Sequence, residues 1–268
     1  DDVSFGLERG GTLGLVGPNG TGKSTVLKLV ARILEPTSGS VTVDGRVAAL
    51  LELGAGFHPD LTGRENVLLN GSMMGIPTRE MRRKFDEIVA FSELERFIDM
   101  PVKHYSSGMY MRLGFATAVN MDAATLLIDE VLAVGDQSFQ NKCRDKIAAL
   151  RRAGATILLV SHDPNAVRDL CAGALWLENG KVLARGTADE VLEAYYASVM
   201  EREEARFAAE HPLAATAAAG EDRWGSGEVE IVGVDVLGSD GAIRHVVGSG
   251  QAVTVRMRYR ARQRVPGP

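Results

Sequence analysis

The chain has 268 residues, 45% of them hydrophobic and 24% charged, a composition ordinary for a globular protein in a length that suits one or two domains. Its 30 Lys and Arg against 35 Asp and Glu leave a net charge of −5, which argues against sequence-independent nucleic-acid binding, since that needs a basic footprint. No apolar run approaches the roughly 18 residues that span a bilayer and no signal peptide is visible, so any membrane role is expected to be peripheral. Cys143 and Cys171 have no CxxC or Cys/His spacing. That excludes a disulfide scaffold and a zinc ribbon, suits a reducing cytosol and reads as two small apolar fillers.

The first residues, Asp1-Asp2-Val3-Ser4-Phe5, read as the interior of a strand. Thr12 to Val16 (TLGLV) is an apolar strand, and Ser24 to Leu34 (STVLKLVARIL) a helix. Between them Gly17-Pro18-Asn19-Gly20-Thr21-Gly22-Lys23-Ser24-Thr25 satisfies G-x-x-x-x-G-K-[ST]. The glycines let consecutive backbone N–H groups turn toward an anion. Lys23 adds a point charge at the β and γ phosphates, and Ser24 offers a hydroxyl to Mg²⁺. The helix dipole favours negative charge at the helix start.

A helical stretch is predicted over roughly 64–118. Within it Met73 and Met74 read as core filler, and 80–100 has apolar residues at helical spacing, with one buried and one solvated face. His104 to Leu113 (HYSSGMYMRL) runs small residues straight into a helix. Ser106-Ser107-Gly108 is either an ordinary Ser N-cap or a second phosphate cradle. Thr125 to Ile128 is a buried strand that ends in Asp129 and Glu130, at the strand end where open α/β sheets place ligands. Asp129 suits a Mg²⁺ shell. Glu130 suits orienting or deprotonating an attacking water. A strand ending in Asp-Glu is by itself weak, and a solvated strand end is the simpler reading. Thr156 to Val160 is a further strand, ending in Ser161-His162-Asp163. His162 is either a structural histidine or, beside the Asp129 strand, within reach of a γ-phosphate. Trp176 reads as a buried strand residue before an Asn-Gly turn. His58, His211 and His245 have no partner pattern.

Composition then shifts. Residues 198–223 read as a fraying helix and a linker. Over 224–268 three alternating segments, GEVEIVGVDVLG, AIRHVVG and QAVTVRMRYRAR, carry a β-meander signature, with Trp224 as an aromatic anchor. Three strands do not readily bury a core alone; the segment stops at Val265-Pro266-Gly267-Pro268 and the start at Asp1 is equally abrupt, so the chain is expected to be cut at both ends.

These segments in this order resemble the nucleotide-binding subunits of ABC transporters. GPNGTGKST looks like Walker A, YSSGM stands where that family has LSGGQ, LLIDE looks like Walker B, Ala133-Val134-Gly135-Asp136 like the D-loop, and Ser161-His162-Asp163 like the switch histidine. The resemblance covers roughly 1–197. LLELGAGFHPDLTGRENVLLNGSMMG, HYSSGMYMRL, LLIDEVLAVGD and the Trp-Gly-x-Gly-Glu-Val start of the tail look like the branch exporting O-antigen, teichoic acid and similar glycans. Members of that branch with a C-terminal extension carry a glycan-recognising β-sandwich.

The resemblance implies an α/β P-loop NTPase domain over 1–197 with a helical subdomain that contacts the membrane subunit. A linker over 198–223 and the start of a β-sandwich over 224–268 follow. It implies ATP and Mg²⁺ as cofactors, with Gly17, Asn19, Gly20, Thr21, Gly22, Lys23, Ser24 and Thr25 around the nucleotide. Ser106 and Gly108 are contributed to the ATP of a second copy in a head-to-tail homodimer. Ser24 and Asp129 hold the metal, Glu130 is the catalytic carboxylate and His162 contacts the γ-phosphate. Ser107 and Met109 stand where Gly and Gln are usual. Glu52 or Leu53 falls where the family has its Q-loop glutamine, with Glu52 toward the metal or the membrane partner. The adenine-stacking aromatic residue is expected ahead of residue 1.

The implied function is an ATPase at the cytoplasmic face of the cell membrane, working with an integral-membrane permease on a lipid-linked glycan and not on nucleic acid. A soluble ABC ATPase of translation or repair usually needs two cassettes or long coiled-coil insertions, and neither is found. A small GTPase wants Asn-Lys-x-Asp, whereas Asn141-Lys142-Cys143-Arg144 lacks the Asp. The reading from another class is a carbohydrate-binding or dimerising tail with a regulatory nucleotide domain, and the intact Lys23, Asp129, Glu130 and His162 speak against it.

Overall fold

The structure is a computed structural model that describes residues 3–51, 53–129, 134–210, 229–248 and 251–261. It divides into two units, one ending at Glu193 and the other starting at Ala194.

The first unit is built on a six-stranded sheet: β1 (Thr12–Val16), β2 (Val47–Leu50), β3 (Thr125–Asp129), β4 (Thr156–Val160), β5 (Gly173–Glu178) and β6 (Lys181–Thr187), in the order β2-β3-β4-β1-β5-β6. The first five are parallel and β6 closes one edge antiparallel to β5. β1 and β4 are buried along their whole length, which is why they read as uninterrupted apolar runs rather than alternating ones. Leu13, Leu15, Leu127, Leu158, Val160, Leu175 and Leu177 alternate along their strands and share one face with Leu27 of α1 (Lys23–Val30). Asp129 lies two residues beyond Leu127 and therefore leaves the sheet on that same face. β5 and β6 form a hairpin through Asn179 and Gly180, both at positive φ, and Trp176 is buried before it.

Between β2 and β3 lies a helical layer of α2 (Gly63–Met73), α3 (Thr78–Ser92) and α4 (Ser107–Val119). It has its own core of Val67, Met81, Phe85, Ile88, Leu113 and Ala116. Thr62 and Glu65 form a reciprocal capping box that fixes the start of α2. α5 (Gln137–Arg152) and α6 (Pro164–Leu170) are the crossovers that return the chain to β4 and β5. Cys143 and Cys171 are both buried, as fillers should be.

The second unit contains most of α7 (Ala188–Glu210) and an antiparallel pair, β7 (Val229–Leu237) and β8 (Thr254–Ala261).

Four local expectations are corrected. Val3–Phe5 form no strand, and the segment instead lays Val3 and Phe5 on the sheet's core as partly buried side chains. α1 ends at Val30, not Leu34, and Arg32 follows at φ 59. Met73 is 66% exposed and Met74 36%, because the last turn of α2 runs past the core that Ile76 and Met81 fill. Residues 242–248 form no strand. They make one isolated bridge, Leu237 to Ile243, because the N–H groups of His245 and Val246 donate to the Glu204 carboxylate of α7 instead of to a neighbouring strand. Trp224, His211 and the linker beyond Glu210 lie outside the described residues.

Candidate functional site

β1 delivers the chain to the C-terminal edge of the sheet, and the next residue turns sharply. Gly17 has φ +146, and a Cβ there would sit 2.0 Å from the Leu177 carbonyl of β5. No side chain fits, so the glycine is required by a backbone touching a backbone. The turn tightens through Thr21, whose hydroxyl donates to the Pro18 carbonyl at 2.9 Å. Gly22 is the residue before α1 and offers no side chain to cap it, and the first turn of α1 holds no acid. The starts of α2, α4, α5 and α6 are instead closed by Thr62, Ser106, Asp136 and Asp163. The cap position of α1 thus places no side chain or negative charge over the helix start, the arrangement that receives an anion. Lys23 is buried, and its Nζ donates to the carbonyls of Gly17 and Pro18, both at 2.8 Å. Asn19, Gly20, Ser24 and Thr25 are exposed around it, with Thr21 and Gly22 half-buried.

Strand register brings the next two groups to the same edge. Asp129 pairs with Val160, and Val160 with Leu15. Asp129 therefore lies two strand spacings, about 10 Å, from the strand that feeds the glycine loop, and it is half-buried. His162 follows β4 directly and is exposed. Its turn is set by Ser161, whose Oγ accepts from Asp163 N at 3.1 Å, and by Asp163, which caps α6 through Asn165 N at 2.9 Å. Glu130 and Glu52 lie outside the described residues. Among the described residues no group of three or more His, Cys, Asp or Glu is placed to hold a metal ion. The oxygens of Ser24 and Asp129 suit a cation that takes one or two protein ligands and the rest from phosphate and water, as Mg²⁺ does.

Ser106 and Gly108 sit on the helical layer rather than at the sheet edge. Ser106 caps α4, its Oγ accepting from Met109 N at 3.2 Å. Ser106 and Ser107 are exposed, and a Cβ at Gly108 would meet only Ser106 Oγ, at 3.9 Å. The helix start is both capped and open to solvent. Two residues further along α4 were not marked by any local sequence signal. Arg112 pairs with Glu93 at 2.9 Å and Asp136 at 3.1 Å and lies over the Phe139 ring. The Phe139 N–H, and beside it the Arg112 charge, hold the Asp136 carboxyl below its ordinary range. Tyr110 reaches the segment after β2. Its hydroxyl donates to Gly54 O at 2.8 Å. Their partners are far away in sequence, so helical spacing alone does not reveal them.

Residues 1–133 match the ABC transporter family and residues 220–268 the Wzt C-terminal domain family. The chain is 44% identical over 95% of its length to the O-antigen export system ATP-binding protein RfbB of Myxococcus xanthus, and it spans 60% of that relative. It is 42% identical to the teichoic acids export ATP-binding protein TagH of Staphylococcus haemolyticus, over 73% of this chain and 74% of that one. Among solved structures, an ATP-binding subunit of an ABC transporter aligns with TM-score 0.65 and 26% identity, over 73% of this chain and 86% of that chain. Among the described residues no helix is long and apolar enough to cross a membrane.

Proposed function

The chain belongs to the ABC transporter ATP-binding proteins, in the O-antigen and teichoic-acid export branch with a Wzt C-terminal domain, and from that premise we propose that it hydrolyses ATP to drive export of a lipid-linked polysaccharide through a membrane permease. One observation carries the reading. An uncapped glycine loop with a buried lysine, an aspartate and a histidine emerge from the adjacent strands β1, β3 and β4 at one edge of a parallel sheet, which is where such sheets act.

The roles follow from the chemistry of each group. Gly17 to Gly22 and the first N–H groups of α1 bind the phosphates, and Lys23 places a positive charge on the β and γ groups. Ser24 and Asp129 hold Mg²⁺, which when bound offsets phosphate charge. Glu130 orients and deprotonates the attacking water, and His162 contacts the γ-phosphate. The exposed start of α4 at Ser106 and Gly108 supplies a second set of N–H groups, to the ATP of a second copy. Two ATP molecules then bind the closed pair better than the open one, which is what shifting that equilibrium requires. The Wzt C-terminal segment reads the glycan, and the pair works at the cytoplasmic face of the membrane.

Two substitutions test this. Lys23→Ala is expected to lose nucleotide binding measured by titration. Glu130→Gln is expected to keep it, to lose turnover by about two orders of magnitude or more, and to accumulate an ATP-dependent dimer in gel filtration. Wild-type turnover in Glu130→Gln overturns the assignment of the base, and undiminished affinity in Lys23→Ala overturns the phosphate site.

A further inference from the structure

The two faces of the β7–β8 pair are unlike. The register slips between Ile231 and Gly233, so that Val232 is bulged out. Ile231 and Val234 then share one face with Tyr259 and Met257, and Asp235 shares the other with Arg256, Arg258 and Arg260. The apolar face is the side that a packing layer covers, which leaves the arginine face to solvent. From Arg256 to Arg264 every second residue is arginine, and no acid follows Asp240. Along β8 this alternation sets guanidinium groups about 7 Å apart on one side of the strand, a basic row in a chain whose net charge is −5.

Two of these arginines are held in place from below. Asp235, its side chain only 11% exposed, accepts from Arg256 Nε and Nη2 at 3.1 and 3.0 Å through one oxygen, and from Arg258 Nη2 at 3.2 Å through the other. The arginine side chains themselves are 53% and 62% exposed, so donors not spent on Asp235 face outward. Arg258 reaches Asp235 by lying across Gly233. A Cβ at that glycine would stand 2.8 Å from Arg258 Nη2 and 3.0 Å from its Cζ. Gly233 is not at positive φ, so its backbone would accept any residue, and the strand around it is otherwise rich in valine. The glycine is explained by the space that the guanidinium fills.

We infer that the arginine face of β7 and β8 is an anion-reading surface, and that the glycan it takes carries acidic groups, carboxylate or phosphate. This rests on the reading above that the C-terminal segment meets the glycan. One carboxylate beneath two guanidinium groups leaves a positive charge over and fixes their planar forks, which is the geometry that receives an oxyanion through paired N–H bonds. A neutral sugar laid on the same face would strip water from those cations and return no charge. A row of cations along a strand also suits a polymer with charges at intervals better than a single small anion.

The test is calorimetric titration of the full chain with the surface polysaccharide of the cells that make it. The polymer is used as isolated and again after its carboxyl groups are reduced and its phosphates removed. Saturable binding of the first is expected, with affinity at least about tenfold lower for the second. Gly233→Ala and Arg258→Lys both keep the net charge. The first pushes the Arg258 guanidinium off its seat, and the second removes the fork. Each is expected to weaken binding about three- to tenfold, whereas Arg244→Gln, which removes a charge outside the row, should leave affinity within about twofold. Equal binding of the native and the neutralised polymer overturns the acidic class and leaves the glycan reading standing. Undiminished affinity in both Gly233→Ala and Arg258→Lys, or an equal loss in Arg244→Gln, overturns the built face in favour of diffuse charge. Tighter binding to phosphatidylglycerol vesicles than to the polysaccharide overturns the assignment of the occupant. No binding of either polymer overturns the glycan reading first, and this inference with it.

Discussion

Replacing Gly17 and Gly20 separately by alanine distinguishes a glycine required by contact from one required only by conformation. Both are at positive φ, +146 and +78. At Gly20 a Cβ would meet nothing within 4 Å, so the cost is the backbone preference alone, about 1 kcal/mol. At Gly17 the Cβ would lie 2.0 Å from Leu177 O, and that carbonyl cannot retreat. It belongs to β5, whose preceding residues Leu175 and Trp176 are paired to Leu15 and Val16 on one side and to β6 on the other. Strain of about 1–3 kcal/mol and an overpacking cost of about 1–3 kcal/mol sum to about 4 kcal/mol. For a unit of this size that is about 8–16 °C in melting temperature, against about 2–4 °C for Gly20→Ala. Thermal unfolding of the nucleotide-free full chain followed by circular dichroism reads both. If the two variants melt within about 2 °C of each other, the close approach of the loop to β5 does not set the identity of residue 17.

Other expectations follow from single contacts. Thr62→Ala removes the hydroxyl that caps Glu65 N and breaks the reciprocal box at the start of α2. It should cost about 1 kcal/mol and lower the melting temperature by about 2–4 °C, and no change would show that Glu65 holds the turn unaided. Burial pushes the thiols of Cys143 and Cys171 up to about 12, so both stay protonated at pH 8. A thiol reagent should label neither in the folded chain and both in denaturant, and rapid labelling of the native protein would contradict their place in the core.

How much of this was legible beforehand depends on where each signal lies. The sheet strands were, because a strand buried on both faces has to be a continuous apolar run, as Thr12–Val16 and Thr156–Val160 are. The glycine loop was, because its chemistry is local: glycine, lysine and hydroxyl within nine residues between a strand and a helix. Strand order was not. That Asp129 and His162 emerge beside Lys23 follows from β4 inserting between β3 and β1, and pairings over such separations leave no mark in the local pattern. The exposure of Met73 and Met74 leaves no such mark either, since composition cannot say which turn of a helix overruns its core. Arg112 and Tyr110 work through Asp136 and Gly54, partners that only the folded helical layer supplies.

The segment 242–248 shows the limit most clearly, and it can be tested. AIRHVVG alternates as a strand should, yet two of its donors, at His245 and Val246, are taken by one carboxylate. Glu204 accepts from His245 N at 3.0 and 3.1 Å and from Val246 N at 2.9 Å. Burial opposes its ionisation, but the two backbone donors and the nearby His245 and Arg244 charges outweigh that, and the carboxyl falls below its ordinary 4.5. A carboxylate accepting two N–H bonds does for these residues what a neighbouring strand would do, and it does so most strongly while charged. Because the folded value is depressed, its contribution is complete above about pH 4.5 and is lost as the pH falls through the folded value. Glu204→Ala should therefore speed amide exchange at His245 and Val246 by about fivefold or more at neutral pH, while the β7–β8 amides, paired strand to strand from Val229 with Ala261 to Leu237 with Thr254, keep theirs. Glu204→Gln keeps an acceptor without the charge and should fall between. If exchange at His245 and Val246 is the same in all three proteins, the carboxylate does not hold the segment, and the sequence's own preference for a strand there has been overridden by something else.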